Sequence, residues 1–96
     1  MAIRSFARRA LEDFFLTGKV PRREGWSTVS SEVRRKLDVL DYAAALADLQ
    51  SPPGNRLEAL RGGLKGFHSI RVNDQWRIVF RWSQEGPAEV DVRDYH

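Results

Sequence analysis

The fold class predicted by the sequence is α+β, with two N-terminal helices packed on one face of a twisted antiparallel β-sheet. Before residue 51 the apolar residues recur with the 3.6-residue period of a helix, and after residue 55 they alternate with the two-residue period of a strand. The segment 51–55 (SPPGN) separates the halves, because proline lacks an amide donor and restricts the residue before it. Helices followed by strands predict helices that cover one face of a sheet. We expect one domain over residues 1–96, since neither half can bury a core alone.

The first half contains two predicted helices, preceded by a short predicted strand over residues 1–5. The first helix starts at Phe6, with Ser5 as its candidate N-cap, and ends at Gly18, because glycine is common just beyond a helix C-terminus. The second helix presents one apolar stripe, formed by Val29, Val33, Leu37, Leu40 and Ala44. Its candidate N-caps are Ser27, Thr28 and Ser30. Residues 43–49 either extend this helix or form a separate turn.

The second half predicts four strands, over residues 56–61, 67–72, 76–82 and 89–95. The short linker 73–75 (NDQ) predicts a hairpin, and residues 83–87 (SQEGP) predict a second turn. Helices first and a meander of strands afterwards complete the predicted α+β architecture.

The third predicted strand has one apolar face and one basic face. Side chains alternate along a strand, so Ile78, Phe80 and Trp82 lie on one face, and Arg77, Val79 and Arg81 lie on the other. If the apolar face packs on the helices, the two arginines lie on the open face of the sheet. Neighbouring strands then add Arg71, and either Glu58 or Arg61, to that face. A structural alternative stays open, in which Arg77 pairs with a carboxylate of the final strand.

The charge of the chain is small in total but unevenly distributed. Sixteen basic and thirteen acidic side chains give a formal net charge of +3 at pH 7, and thirteen of the basic residues are arginine. Residues 1–36 hold nine basic side chains against four acidic ones, and residues 56–81 hold six against two, so positive charge is concentrated in two stretches, of which the second spans the predicted sheet. Guanidinium suits bidentate contact with phosphate, and we therefore expect a nucleic-acid partner.

Composition also excludes several classes of protein. The chain has no cysteine, which rules out disulfide scaffolds, thiolate metal sites and cysteine nucleophiles, and its two histidines argue against a histidine-rich metal site. We expect neither a metal nor another cofactor. Because no apolar run approaches the roughly 18 residues of a membrane span, and charged residues interrupt the N-terminal segment, we expect a cytoplasmic protein with no membrane partner.

The last three residues, Asp94, Tyr95 and His96, carry groups suited to acid–base chemistry. In RNA cleavage a base removes the proton of a 2′-hydroxyl, which attacks the adjacent phosphate. An acid then protonates the leaving 5′-oxygen, while cations stabilise the added negative charge. With Glu58 as a further carboxylate and Arg77 and Arg61 as cations, the sequence supplies such a set. The structural alternatives are a frayed terminal histidine and a half-buried edge tyrosine, and His68 is more typical of a sheet surface than of a catalyst.

Several stretches of the sequence together resemble one protein family. They are IRSF near the start, PPGNRLEALRG, SIRVNDQWRIVFRW and the final DYH. In this combination they resemble the HigB toxins of prokaryotic toxin–antitoxin systems, in the RelE/ParE superfamily. The resemblance implies a small α+β toxin fold and metal-free cleavage of messenger RNA in the ribosomal A site. It also implies a HigA-type helix-turn-helix antitoxin as partner, and contact with operator DNA only through that antitoxin.

The resemblance also implies roles for single residues. Arg77 matches the arginine of the QWRI segment, and Asp94, Tyr95 and His96 match a terminal triplet whose histidine is implicated in catalysis. Glu58 departs from the pattern, because some relatives have a histidine there, and a glutamate cannot supply the same cationic form. The predicted catalytic set is Glu58, Arg77, Asp94, Tyr95 and His96. The predicted RNA-binding set is Arg61, Lys65, Arg71 and Arg81, with Lys65 substituting for a basic residue that relatives often place one position earlier, at Leu64.

Two other functions remain as alternatives to RNA cleavage. The first is a ParE-like, non-cleaving inhibitor of DNA gyrase, for which an acid–base group in the last three residues is not needed. The second is a basic RNA-binding module without toxicity. Codon-linked cuts in translated messages would favour RNA cleavage, whereas DNA damage with intact messages would favour gyrase inhibition.

Overall fold

A computed structural model describes residues 2–94 and confirms the α+β architecture. Tyr95 and His96, both in the predicted catalytic set, lie outside the described residues. The helices and strands are α1 (Arg9–Thr17), α2 (Ser30–Tyr42), β1 (Glu58–Ala59), β2 (Phe67–Arg71), β3 (Trp76–Ser83) and β4 (Gly86–Asp94). The four strands form one antiparallel sheet in the order β1-β2-β3-β4.

The core lies between the helices and one face of this sheet. Leu11 and Phe14 of α1 and three residues of α2 are buried against the apolar side of β2, β3 and β4. The residues of β3 on this side, Ile78 and Phe80, are fully buried, as the two-residue alternation predicts. His68 lies on the same side, with its ring stacked on Phe80 at a centroid distance of 6.2 Å. The open face of the sheet is therefore free to carry polar side chains.

The N-terminal prediction is wrong in two respects. Residues 2–5 form no strand; instead the chain runs beside β4, where Phe6 makes a single parallel bridge to Val90. Helix α1 begins at Arg9 rather than Phe6, and Ser5 is not its N-cap, because the Ser5 hydroxyl accepts a hydrogen bond from the Glu89 amide at 2.8 Å. The predicted C-terminal end is confirmed: Gly18 has φ +80° and donates its amide to the Phe14 carbonyl at 2.8 Å.

Helix α2 confirms the predicted stripe at Val33, Leu37 and Leu40, all fully buried. The stripe stops there, because the helix ends at Tyr42 and Ala44 is exposed beyond it. None of the three predicted hydroxyl residues caps the helix: its N-cap is Val29, without a side-chain hydrogen bond. Residues 46–50 form a separate 3₁₀ turn, which decides between the two expectations for this segment.

The strands differ from prediction mainly at the sheet edge and in β4. The first strand is predicted over residues 56–61, but in the structure it covers only Glu58–Ala59. It is short because Arg56 adopts a left-handed conformation with φ +46° and a 3₁₀ turn begins at Gly62. Strand β4 begins at Gly86, three residues earlier than predicted, and follows a two-residue turn from β3. One extra residue bulges from β4 beside Glu89, which has φ +53°.

Candidate active site on the open sheet face

Three arginines form one row across the open face of the sheet. Arg77 on β3 lies directly opposite Arg71 on β2 and directly opposite Arg93 on β4. Like charges placed opposite one another across strands are destabilising. The row is therefore poorly explained by stability alone and is well suited to an anionic ligand. Arg93 was missing from the predicted sites, although the two-residue alternation of the final strand places it on this face.

Arg77 is the centre of the row and is anchored from one side. Its side chain is only 6% exposed, and its Nε donates a hydrogen bond to the Ser69 hydroxyl at 2.8 Å. A terminal nitrogen of the guanidinium donates to the Ser69 carbonyl at 3.3 Å and also to the Arg56 carbonyl. Ser69 and Arg56 are thus positioning residues for Arg77. Sequence reasoning did not identify them, because neither residue type marks such a role.

The structural alternative for Arg77 is an ion pair across the sheet. Arg93 is the Cα partner of Arg77 on β4, and Asp94 of the same strand lines a cavity together with Arg77. Glu58 of β1 forms an ion pair with Arg77, with one carboxylate oxygen 3.8 Å from a guanidinium nitrogen. Glu58 reaches this place because it pairs with Ser69 across β1 and β2. Arg77 lies on the open face as predicted, but its side chain is nearly buried there rather than exposed.

Two small cavities meet at Arg77. The first has a volume of about 180 Å³ and is lined by Arg56, Glu58, Arg71, Asn73, Asp74 and Arg77. The second has a volume of about 230 Å³ and is lined by Leu60, Leu64, Ser69, Arg77, Val79, Arg93 and Asp94. The structure therefore brings together four of the predicted site residues: Glu58, Arg71, Arg77 and Asp94.

The remaining described residues of the predicted sites line neither cavity. Arg61 and Lys65 are exposed on either side of the 3₁₀ turn Gly62–Leu64. Arg81 lies four residues along β3 from Arg77, and its Nε is 2.7 Å from a Glu89 oxygen. These three cations are not among the residues that line the two cavities.

The β2–β3 hairpin supplies partners for two of the four clustered residues. Arg71 forms an ion pair with Asp74 in this hairpin. Asp94 accepts a hydrogen bond from the Gln75 side chain at 3.1 Å. The hairpin therefore contacts the site at Arg71 on β2 and at Asp94 on β4.

The arrangement has the chemistry of a site for a phosphate group. An anchored guanidinium stabilises negative charge that develops on a phosphoryl oxygen, and an adjacent carboxylate can accept a proton. Glu58 forms an ion pair with Arg77 and its side chain is 44% exposed, so solvent and ligand can reach it. Within residues 2–94, no helix is long and apolar enough to cross a membrane.

Comparison with known proteins identifies the family of the chain. The chain is 47% identical over 77 residues to a protein of Vibrio cholerae named Toxin HigB-1, with 80% of each chain covered. It is 27% identical over 97 residues to a protein of Proteus vulgaris named Endoribonuclease HigB, with 98% of this chain and 99% of that one covered. A Haemophilus influenzae protein is 38% identical over 56 residues. A model of the family described as the RelE-like toxin of the type II toxin–antitoxin system HigB matches residues 4–96, and the chain therefore belongs to the HigB-like toxin family.

Proposed function

We propose that this HigB-like toxin is a ribosome-dependent endoribonuclease that cuts messenger RNA on the open sheet face. The observation that carries the proposal is Arg77, a nearly buried guanidinium that lines two cavities beside Glu58. A buried arginine is costly unless it is well hydrogen-bonded. Here its hydrogen bonds hold the group at the meeting point of the cavities, where a phosphate can reach it.

In the proposed reaction the 2′-hydroxyl of one nucleotide attacks the adjacent phosphate, and the 5′-oxygen of the next nucleotide leaves. Arg77 stabilises the additional negative charge on the phosphate, since oriented donors of this kind typically contribute strongly to catalysis. Glu58 and Asp94 are the proposed base or orienting carboxylates. Tyr95 and His96 are the further proposed acid and base groups. In this proposal, side chains of the toxin accept the proton of the 2′-hydroxyl and donate a proton to the leaving 5′-oxygen.

The proposed RNA path follows the cations around the two cavities. Arg71 lines one cavity, and the exposed side chains of Arg61, Lys65 and Arg81 are the proposed contacts for phosphates that enter or leave the site. Such contacts position a nucleic acid without reading its bases. In this proposal the ribosome holds the message in a fixed conformation, and the cations of the toxin surface bind the message in that conformation.

The family pairs each toxin with an antitoxin, and we propose a HigA-type helix-turn-helix protein as the partner of this one. In this proposal the toxin acts in the cytoplasm as one domain and reaches operator DNA only through the antitoxin. Co-expression with a helix-turn-helix protein from the adjacent gene should give a complex that purifies together and relieves growth arrest. Growth arrest that persists despite a stable complex would contradict neutralisation by that partner.

Mapping the 5′ ends of messenger RNA after brief induction tests the proposed activity. We expect new ends at fixed positions within codons of translated messages, and their loss when translation initiation of a reporter message is blocked. Arg77→Lys should reduce these ends, because lysine keeps the charge but cannot reproduce the three hydrogen bonds of the guanidinium. Intact messages together with DNA damage would overturn the proposal and favour gyrase inhibition.

A further inference from the structure

The geometry points to Asp91 as a positioning residue for the arginine row: we propose that its carboxylate holds Arg93 so that this guanidinium meets the phosphate backbone of the message in one orientation. The inference rests on the proposed function, because it concerns the ligand of the same sheet face. It adds a residue that belongs to neither the predicted catalytic set nor the predicted RNA-binding set, and whose charge has the same sign as that of RNA.

A bulge in β4 brings Asp91 and Arg93 to the open face of the sheet. Ala88 lies opposite Arg81 on that face, so strict alternation along β4 would place residues 90 and 92 there as well. The extra residue of the bulge reverses the alternation beyond it. Residues 90 and 92 are instead buried in the core. The two charged side chains of this part of β4 therefore lie on the side of the arginine row.

The Asp91 carboxylate is nearly buried and has a partner at each oxygen. Its side chain is only 11% exposed, and one oxygen lies 3.5 Å from the Nε of Arg93. The other oxygen lies 3.2 Å from the Nε of Arg8 and accepts a hydrogen bond from the Val92 amide at 2.9 Å. Loss of solvent is costly for a carboxylate unless it is paired and hydrogen-bonded. These contacts therefore hold the carboxylate in one orientation.

Arg8 is held in turn from the helical side of the molecule. It is the N-cap residue of α1, and a terminal nitrogen of its guanidinium lies 3.2 Å from a Glu24 oxygen. Backbone hydrogen bonds of 3.1 and 2.9 Å join residues 5 and 7 to Val90, which keeps the start of α1 beside β4. Four side chains of alternating charge therefore run from Glu24 to Arg93, and Asp91 is the most buried of them.

Arg93 can bind a phosphate while Asp91 holds it. The contact with Asp91 is made by Nε, and a guanidinium held at this atom can still donate from its two terminal nitrogens to phosphate oxygens. The Arg93 side chain is 53% exposed and lines the same cavity as Arg77. An arginine that is oriented before binding loses less conformational entropy when it meets its ligand. Asp91 therefore strengthens the contact with an anion, although it is itself an anion.

The direction of an affinity change tests the proposal. Removal of an acidic side chain from an RNA-binding surface ordinarily strengthens binding, because the repulsion of the phosphates decreases. Asp91→Asn keeps the size of the side chain and an oxygen that can accept the Val92 amide. We nevertheless expect it to lower the affinity for programmed ribosomes about fivefold. The message carries 2′-deoxy nucleotides in the A-site codon, which block the proposed attack, so binding is measured separately from cleavage.

The matched control is Asp38→Asn, which makes the same change at a carboxylate that pairs with Arg34 on α2. It should leave the affinity unchanged or raise it slightly. Denaturant unfolding establishes the folded fraction of each variant, and Asp91→Ser serves as a second variant if Asp91→Asn folds poorly.

A double mutant separates positioning from a purely structural role. In an Arg93→Ala background, Asp91→Asn should cause no further loss of affinity, because no guanidinium remains for the carboxylate to orient. A purely structural role would lower the affinity by the same factor in both backgrounds.

The proposal is overturned if folded Asp91→Asn binds as tightly as the wild type or more tightly, or if it loses the same factor with and without Arg93. A wild type that does not bind programmed ribosomes would overturn the proposal together with the proposed function. A wild type that binds and shows the Asp91 effect, but never cuts a message with 2′-hydroxyls, would overturn the proposed cleavage alone and leave the role of Asp91 supported.

Discussion

At the scale of single residues, Arg77 depends on neighbours that hold it in one orientation. Its Nε and a terminal nitrogen both donate to Ser69, to the hydroxyl at 2.8 Å and to the carbonyl at 3.3 Å. Ser69 is itself almost fully buried, with 1% of its surface exposed. A hydroxyl in this place fixes the plane of the guanidinium, and the plane decides where a bound phosphate can lie.

Ser69→Ala is expected to reduce cleavage more than it reduces stability. Loss of the hydroxyl leaves the Arg77 Nε without its acceptor, which should cost about 1–2 kcal/mol of unfolding free energy. The misplaced guanidinium should lower the single-turnover cleavage rate at saturating toxin by about tenfold or more. Denaturant unfolding and cleavage on programmed ribosomes measure the two effects.

The control for this change is Ser83→Ala, which removes a hydroxyl hydrogen bond to the Gly86 carbonyl in the β3–β4 turn. It should lower stability by a comparable amount and leave the cleavage rate of the folded protein unchanged. Equal cleavage by Ser69→Ala and the wild type would show that Ser69 does not position Arg77.

At the scale of structural elements, the connection from α2 to β1 is anchored by one buried amide. Asn55 is fully buried and donates to the carbonyls of Leu49 and Ser51 at 3.3 and 3.2 Å. Its side-chain oxygen accepts a hydrogen bond from Lys36 of α2. The next residue is Arg56, whose carbonyl binds Arg77, so the anchor of this segment also supports the candidate active site.

Asn55→Ala is therefore expected to destabilise the protein by about 2–3 kcal/mol, because it leaves buried carbonyls without donors. Asn73→Ala is the matched control. Asn73 accepts hydrogen bonds from the Gln75 and Trp76 amides in a more exposed hairpin, so its loss should cost about 1 kcal/mol. Denaturant unfolding of both variants checks the order, and an equal or smaller loss for Asn55→Ala would contradict the anchoring role.

Lys36 of α2, which donates a hydrogen bond to Asn55, gives a prediction about the pH dependence of the unfolding free energy. Burial, and then the charges of Arg35 and Arg71, lower the pKa of the Lys36 ammonium from its usual 10.5. At pH values below the lowered pKa of the folded protein, Lys36 is protonated in both the folded and the unfolded protein. Its charge then destabilises the folded state to the full extent. Between that pKa and 10.5 the unfolded state binds more protons, so the unfolding free energy contributed by Lys36 rises with pH.

The unfolding free energy of the wild type relative to Lys36→Met should therefore increase as the pH is raised towards 10.5. In an Arg35→Ala background the increase should be smaller, because one of the charges that lower the pKa is absent. Unfolding curves at several alkaline pH values measure the difference. A difference that falls with pH would mean that the folded state favours the charged ammonium.

The element scale also shows how far the sequence determines the fold. The stripe of α2 and the alternation in β3 predicted the buried faces correctly, because each period is set by backbone geometry over several turns or residues. The ends were less predictable. Helix α1 begins later than predicted because the chain before it runs beside β4. Strand β1 is short because Arg56 turns the chain. Both effects depend on contacts between segments distant in the sequence.

At the scale of the whole molecule, helices cover one face of the sheet and a row of three arginines crosses the other. Exposed Arg35 on α2 represents the helical side, while Arg93 belongs to the arginine row on the open side. Cations that contact phosphates make the affinity for RNA depend on salt through counterion release.

Arg93→Ala should lower the affinity for programmed ribosomes and reduce the slope of log affinity against log salt by about one. Arg35→Ala should leave both nearly unchanged, although it removes the same charge from the molecule. Binding measured over a range of salt concentrations separates the two variants. Equal slopes for both would show that net charge, rather than the open sheet face, determines binding.

The sequence pattern predicted which arginines of β3 lie on the open face, but it did not predict the burial of Arg77. Alternation in β3 placed Arg77 and Arg81 on the open face, and the structure confirms that face while adding Arg93 to it. Alternation says nothing about what lies above a residue. Arg77 is nearly buried and donates hydrogen bonds to Ser69 and to the carbonyl of Arg56, and the alternation within β3 cannot identify these partners on other segments.

The most direct test of the account is the single-turnover rate at which folded Arg77→Lys cuts a message on programmed ribosomes. An anchored guanidinium that stabilises the reacting phosphate predicts a loss of about a hundredfold or more, with Arg35→Lys cutting like the wild type. Denaturant unfolding establishes that both variants are folded at the assay temperature. A rate for folded Arg77→Lys equal to that of the wild type would contradict the assignment of RNA cleavage to this sheet face.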